Sequence, residues 1–301
     1  MSHPGNEIRS AGDNMRIAII GAHGMLGHDL YRVLEHDHEL LAWDIDEIDI
    51  TDRDRTIEAL ANERPELIVN AAAFVDMEGC EANTDVAWRV NAVGAQNLAL
   101  ASAGIDSELV YISSDYIFDG TSAVDYDETA VPNPLNQYGK SKLAGEQLSL
   151  QNCHRTYSLR TAWLFGHAEN NYVQRVLTAA DREGVVRMPA DQLESPTYTI
   201  HLADAISRLI TTHAYGVYNL TSIGACTRYE FAECVLKEAS RSERVELVDP
   251  KTIQRTTPRP ARSVLDCRLF QLVTGHELNP WRQGVRDYFS NESRWKSKKF
   301  A

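Results

Sequence analysis

The sequence predicts an α/β fold, a doubly wound parallel sheet joined to a smaller C-terminal lobe. Three observations predict it. From Met15 onward short β-rich apolar runs alternate with longer amphipathic stretches, and a glycine-rich turn joins the first run to the first stretch. After Gly166 the alternation loosens into shorter elements punctuated by Pro189, Pro196, Pro250, Pro258 and Pro260.

Strands are expected at Arg16 to Ile20, Leu40 to Trp43, Leu67 to Asn70, Leu109 to Ser113 and Tyr157 to Leu159. Helices are expected at Gly24 to Leu34, Asp52 to Glu63, Thr84 to Ala103 and Tyr138 to Gln151, the second capped by Thr51 or Asp52, whose short side-chain oxygens satisfy an orphan N–H. Met1 to Asn14 has no apolar core of the signal-peptide kind and reads as a flexible leader, residues 1–14. A sheet domain is expected over residues 15–166. Residues 167–301 read mainly as a lobe covering the carboxyl edge of the sheet, where open α/β folds bind ligands, with room to return segments to the sheet.

The 301 residues are 43% apolar and 24% charged, the make-up of a soluble globular protein with a full core. A net charge of -13 disfavours nucleic acid or an anionic membrane as a partner, so any phosphorylated ligand must be held locally. No stretch approaches the roughly 18 apolar residues of a membrane span. The five cysteines are scattered and show no CxxC spacing, which fits structural thiols in a reducing compartment, and the cytoplasm is the expected location.

A strand ending at Ile20, then Gly21, Gly24 and Gly27 within GAHGMLG, then a helix, is the context of a dinucleotide-binding turn. Glycines there let the backbone approach a pyrophosphate, whose charge the helix N-terminus favours, so a Rossmann-like sheet with NADPH or NADH as cofactor is expected, a merely tight strand-to-helix turn being the alternative. His23, Met25 and Leu26 fall in the same turn. Asp44, at the end of the second strand, can accept both hydroxyls of an adenosine ribose; it leans toward NAD(H), while His23 could offset repulsion of a 2′-phosphate. Asp49 and Ile50 are placed to meet the adenine, or else are a loop acid and a core isoleucine. Ala71, Ala72 and Ala73, after the third strand, are small enough for a cofactor to lie against their backbone.

Reducing a ketone requires a proton for the developing alkoxide. Tyr138 and Lys142, four residues apart, share one helix face, and an ammonium beside a phenol is expected to pull its pKa of about 10 toward the working pH. Ser114, at the end of the fourth strand, offers a hydroxyl to the same carbonyl oxygen. The turn-forming run Pro132 to Asn136 can deliver Tyr138 to the sheet edge. The histidines His23, His28, His36 and His38 span a helix and a loop and read as solvated or capping groups. No metal is assigned, acidic residues such as Asp29 being too common to indicate one.

The combination of GxxGxxG, Asp44, Ser114 and Tyr138-xxx-Lys142 resembles the extended short-chain dehydrogenase/reductases. Longer strings resemble the dTDP-4-dehydrorhamnose reductase family: Asn70 to Ala73, ISSDYIFDG at Ile112 to Gly120, PLNQYGKSKLAGE at Pro134 to Glu146, RTAWLFG at Arg160 to Gly166, Asn171-Tyr172, DQLESPTY at Asp191 to Tyr198 and PRPARSVLD at Pro258 to Asp266. They run over nearly the whole chain. The resemblance implies NAD(P)H-dependent reduction of the C4 ketone of a dTDP-6-deoxy-4-keto-hexose, the last step toward dTDP-L-rhamnose. It makes Ser114, Tyr138 and Lys142 catalytic, with Tyr138 as proton donor and Lys142 on the nicotinamide ribose. It assigns Asp115, Tyr116 and Trp163 to the sugar pocket and Asn171 and Arg259 to the nucleotide-sugar, a guanidinium suiting a pyrophosphate. It leaves the oligomeric state open, a homodimer included.

Two departures from the family's pattern stand out. Glu194 occupies a position usually held by glycine and is expected to alter the loop over the nucleotide, and Glu78 replaces a usual aspartate. Rival readings are a reductase of another nucleotide-linked 4-keto-6-deoxy sugar, a 4,6-dehydratase, an epimerase, and a regulatory subunit like the β subunit of methionine adenosyltransferase. Asp115 is followed by Tyr116 and not by the glutamate a dehydratase needs, and the intact Ser114, Tyr138 and Lys142 favour catalysis over a regulatory role.

Overall fold

In the computed structural model of the chain, residues 14–167, 171–253 and 256–295 are described, the side chains of 292–295 excepted. The leader expected over residues 1–14 lies outside them save for Asn14, whose side-chain oxygen accepts from the Glu39 amide at 3.1 Å. The sheet half runs β1 (Arg16–Ile20), α1 (Met25–Leu34), β2 (Glu39–Trp43), α2 (Arg53–Glu63), β3 (Leu67–Asn70), α3 (Met77–Ala82), α4 (Thr84–Trp88), a π-helical turn (Arg89–Gly94), α5 (Ala95–Gly104), β4 (Glu108–Ser114), α6 (Gln137–Asn152) and β5 (Thr156–Thr161). Then come β6 (Leu164–Phe165), α7 (Tyr172–Glu183), β7 (Val185–Met188), β8 (Thr197–Tyr198), α8 (Thr199–Leu209), β9 (Gly216–Asn219), α9 (Arg228–Glu238), β10 (Arg244–Leu247), α10 (Arg268–Thr274) and α11 (Trp281–Trp295).

Six strands pair in the order β2-β1-β3-β4-β5-β9, all parallel. The chain leaves β1 for β2 on one side and crosses back to β3 on the other, so the switch point lies between the carboxyl ends of β1 and β3. Both faces are covered. Leu26, Leu30 and Leu34 of α1 recur every four residues and pack with Leu202, Ile206 and Leu209 of α8 on one face, while Leu60 of α2, Leu98 and Ala101 of α5 and Ile50 cover the other. A buried bond from Thr199 Oγ1 to Asp29 Oδ2, at 2.5 Å, ties α8 to α1.

Helix starts follow from capping side chains. Asp52, and not Thr51, caps α2 by accepting from the Arg55 amide at 3.2 Å, because the Thr51 hydroxyl is turned onto Asp49. Asn136 caps α6, accepting from the Gly139 amide at 2.8 Å, and its Nδ2 donates to the Pro258 carbonyl at 3.0 Å, which fastens the Pro258–Asp266 segment beside the helix. The stretch expected as one helix over 84–103 is α4 and α5 joined through the π turn.

A second core lies beyond the sheet, where Phe165, Val173, Val176, Tyr198, Phe231, Trp281, Val285 and Tyr288 pack α7, α9 and α11 around the β6-β8 pair. No described helix is long and apolar enough to cross a membrane. None of the five cysteines forms a disulfide.

Candidate active site

Two cavities open at the carboxyl edge of the sheet, of about 420 Å³ and 600 Å³, and Gly24, Ala71 and Ala73 line both, so they form one cleft. The smaller lies over the switch point. Gly21 turns the chain out of β1 with φ +81°, and a Cβ there would stand 2.7 Å from the Ala72 amide nitrogen, so only glycine lets β1 and β3 close up here. No side chain caps α1 at Gly24, which leaves its first-turn amides facing the junction of the cavities.

Gly21, His23, Gly24, Asp44, Asp49, Ile50, Ala71, Ala72 and Ala73 all line the smaller cavity. Met25 and Leu26 line the larger one. Gly27 lines neither; a Cβ there would fall 2.1 Å from the Gly21 carbonyl oxygen, so its missing side chain serves the packing of α1 against the turn. Asp44 accepts from the His23 amide at 3.0 Å and the Ile45 amide at 2.8 Å, so the carboxylate also shapes the turn. Ile50 is both wall and core, packed against the helix surface that Gly94 leaves bare.

Ser114, Asp115, Tyr116, Tyr138 and Lys142 line the larger cavity together with Trp163, Asn171 and Arg259. β4 ends at Ser114, whose hydroxyl accepts from the Tyr116 amide at 3.2 Å and is hydrogen-bonded to Tyr138. α6 brings Tyr138 and Lys142 to the strand end, and the Lys142 Nζ donates to the Ile112 carbonyl at 2.5 Å with its charge 4.5 Å from the Tyr111 ring centre. Burial holds the Tyr138 phenol above its ordinary pKa, the Ser114 bond opposing. It pushes Lys142 down to about 7, with Glu146 opposing. The expected depression of the phenol by the lysine is not seen: desolvation disfavours the charged form of each group and is the largest influence on both. Burial and the Glu194 carboxylate hold Asp115 well above the usual carboxylate range, against hydrogen bonds from Ser263 and Ser114.

Farther along, Trp163 is held at φ +39° and packs edge-on to Tyr172, so it serves the core and the wall alike. Asn171 lines the cavity, but its oxygen caps α7 by accepting from the Gln174 amide at 2.9 Å. Arg259 is steadied by Glu78, 3.8 Å away, which also accepts from Thr257 at 2.7 Å. Glu194 is buried in the wall and paired with Arg228 at 3.3 Å. Four polar atoms of this cavity, Ser113 Oγ, Thr161 Oγ1, Trp163 Nε1 and Arg259 Nε, are buried without a hydrogen-bond partner among the described residues, a pattern that suits a ligand rich in hydroxyl and phosphate oxygens.

Sequence reasoning missed Arg228, Arg175 and Asn91. Arg228 and Arg175 line the larger cavity. Asn91, in the π turn, clasps the backbone of Phe74 with both ends of its amide, at 2.8 and 3.0 Å, and donates to Ser141 at 3.0 Å, so it fixes the loop after β3 against α6. Its only local sign was a polar residue inside an apolar helical stretch.

Residues 15–294 match the family described as the RmlD substrate binding domain. The chain is 34% identical to a dTDP-4-dehydrorhamnose reductase of Aggregatibacter actinomycetemcomitans over 90% of its own length and 97% of the relative's. The chain belongs to the dTDP-4-dehydrorhamnose reductase family. Within it, a dTDP-4-keto-6-deoxy-D-glucose reductase of Streptomyces niveus is 36% identical over 89% of this chain and 90% of its own. The solved structure of the Bacillus anthracis dTDP-4-dehydrorhamnose reductase in complex with NADP superposes with a TM-score of 0.90 at 32% identity, covering 92% of this chain and 99% of that one.

Proposed function

We propose that the chain is an NAD(P)H-dependent oxidoreductase that reduces the C4 ketone of dTDP-4-dehydro-L-rhamnose to dTDP-L-rhamnose. The observation that carries this reading is the continuity of the cleft: a cavity of about 420 Å³ at the switch point runs, through Gly24 and Ala73, into a larger one lined by Ser114, Tyr138 and Lys142. The family's relatives support it, and the NADP-bound member supports the cofactor class.

When bound, the reduced nicotinamide supplies the hydride. Gly21, Gly24 and the first-turn amides of α1 hold the cofactor's diphosphate, Asp44 takes the adenosine ribose, Asp49 and Ile50 flank the adenine, and the backbone of Ala71 to Ala73 supports the rest. Lys142 binds the nicotinamide ribose. Ser114 and Tyr138 orient the substrate carbonyl, and Tyr138 gives its proton to the oxygen as it becomes an alkoxide. Burial suits that role, since a donor must be neutral before the reaction and a phenol is more acidic than the alcohol it creates. Asp115, Tyr116 and Trp163 face the sugar; Asn171 and Arg259 face the nucleotide end, where Arg259 Nε has a hydrogen bond to give. The reaction belongs in the cytoplasm, where nucleotide sugars and reduced nicotinamides are both present.

A second reading, reduction of another nucleotide-linked 4-keto-6-deoxy sugar, draws support from Glu194, a charged side chain in the pocket wall at a position the family usually fills with glycine. The test is cofactor oxidation followed by absorbance, with NADH or NADPH and dTDP-6-deoxy-L-lyxo-4-hexulose, and NMR of the sugar formed. Turnover to dTDP-L-rhamnose is expected. Cofactor binding without oxidation would overturn the main reading, and oxidation only with a different 4-keto sugar would put the second in its place.

A further inference from the structure

Glu194 is 1% exposed, yet it lines the larger cavity. Its Oε1 accepts from the Tyr116 hydroxyl at 3.3 Å and from Gln192 Nε2 at 3.1 Å, and its Oε2 accepts from Arg228 Nη2 at 3.3 Å. An ionised carboxylate offers about four acceptor positions. Three are filled by described residues, and among those residues none takes the fourth, which is on Oε2.

The partner is as firmly set as the carboxylate. Arg228 opens α9, and its guanidinium lies 4.5 Å from the Trp163 ring centre and 5.2 Å from that of Tyr172, so neither charge can swing into solvent. A wall needed only for shape would not carry a buried ion pair, since apolar residues of the same volume serve at least as well. The pair lies near the reacting end of the cleft: Tyr116, which donates to Glu194, meets Tyr138 edge-on with ring centres 5.9 Å apart, and the same carboxylate raises Asp115.

We propose that Glu194, set by Arg228, selects a ring hydroxyl of the sugar substrate: the remaining acceptor position on Oε2 receives one hydroxyl of the hexose, and 4-keto-6-deoxyhexoses without that hydroxyl are discriminated against. This rests on the reductase reading above and gives that site its specificity. A charge-assisted hydrogen bond lost from a desolvated pocket corresponds to roughly a 10- to 100-fold loss in kcat/KM.

The experiment compares three dTDP-linked sugars, the 4-keto-6-deoxyhexose and its 2-deoxy and 3-deoxy analogues, with the wild type, Glu194→Gly and Glu194→Asp. The glycine variant removes the carboxylate; the aspartate variant withdraws it while keeping the charge beside Arg228, so one of the two remains usable if the other fails to bind cofactor. The wild type is expected to prefer the parent sugar over one analogue by roughly 10- to 100-fold in kcat/KM. Both variants are expected to bring that ratio close to one, with inhibition by dTDP alone unchanged.

A preference that survives in the variants, or a wild type indifferent to both hydroxyls, overturns the proposal and leaves the reductase reading standing. Weaker binding of dTDP in parallel with the sugar effect also overturns it, by assigning Glu194 to the nucleotide. A wild type that binds cofactor but reduces none of the three sugars overturns the reductase reading and this inference with it.

Discussion

Desolvation sets the charges at the centre of the site, and it acts on the acid and the base in opposite directions. Tyr138 is kept neutral and able to donate, so Tyr138→Phe is expected to lower turnover by at least about 100-fold while leaving cofactor affinity within error, measured by single-turnover oxidation and by titration. Lys142 gives a pH signature. It is protonated up to 10.5 in its ordinary state but only up to about 7 in the fold, so between those values the unfolded chain binds more protons and stability rises with pH. The penalty of burying its charge is complete below about 7 and absent above 10.5. Lys142→Met is therefore expected to stabilise the cofactor-free protein by an amount on the order of several kcal/mol near neutrality, falling away as the pH approaches that of free lysine. Urea unfolding across that window checks it, and a gain that does not vary with pH contradicts it. At the other end of the cleft, Asp44→Ala removes the carboxylate that disfavours a 2′-phosphate, and the ratio of kcat/KM for NADPH over NADH is expected to rise. Tyr138, Lys142 and Asp44 were legible because each relation is local, a helical spacing or the end of a strand. Glu194 was legible as a departure, but its partner Arg228 lies on another element, and only the folded chain shows that the charge is paired.

α6 carries Tyr138 and Lys142, and its position depends on how closely it can approach its neighbours. A Cβ on Gly145 would lie 2.0 Å from the Asn91 carbonyl oxygen and 2.4 Å from the Tyr111 hydroxyl, so backbone meets backbone between α6 and the π turn. Gly145→Ala is expected to destabilise by about 1–3 kcal/mol and to lower turnover by shifting Lys142, because neither contact can yield without moving an element. Gly104, at the end of α5, has no atom of the described residues within 4 Å of the place a methyl group would take, and Gly104→Ala is expected to be neutral or stabilising by up to about 1 kcal/mol. Thermal melts and initial rates of the two variants compare a glycine needed for contact with one that is not. The helices themselves were legible from apolar periodicity and caps, as in α1 and α2. The π turn was not, since widening a helix by one residue leaves the apolar pattern nearly intact, and the close approach that makes it useful is a property of α6, far along the chain.

The two cores are interleaved in sequence. From β5 the chain enters the second core through β6 and α7, returns to the sheet through α8 and β9, goes back through α9, packs Phe270 of α10 against the sheet core, and ends in α11. The cleft draws on both, with Ser114 and Tyr138 from the sheet half and Trp163, Glu194, Arg228 and Arg259 from beyond it. This interleaving was only partly legible, because β9 is four residues long and its pairing with β5 is non-local. Elements that cross back and forth cannot separate without exposing both cores, so the protein is expected to unfold in one transition. Cofactor at about 100 times its dissociation constant adds about 2.7 kcal/mol to the folded state. For a chain of this size that corresponds to a rise in Tm of roughly 4 °C. The rise should move the whole transition, although the smaller cavity is lined by the sheet half alone. Calorimetry that resolves two transitions, with only one shifted by NADPH or NADH, would show that the lobes unfold separately and that the crossings do not couple them.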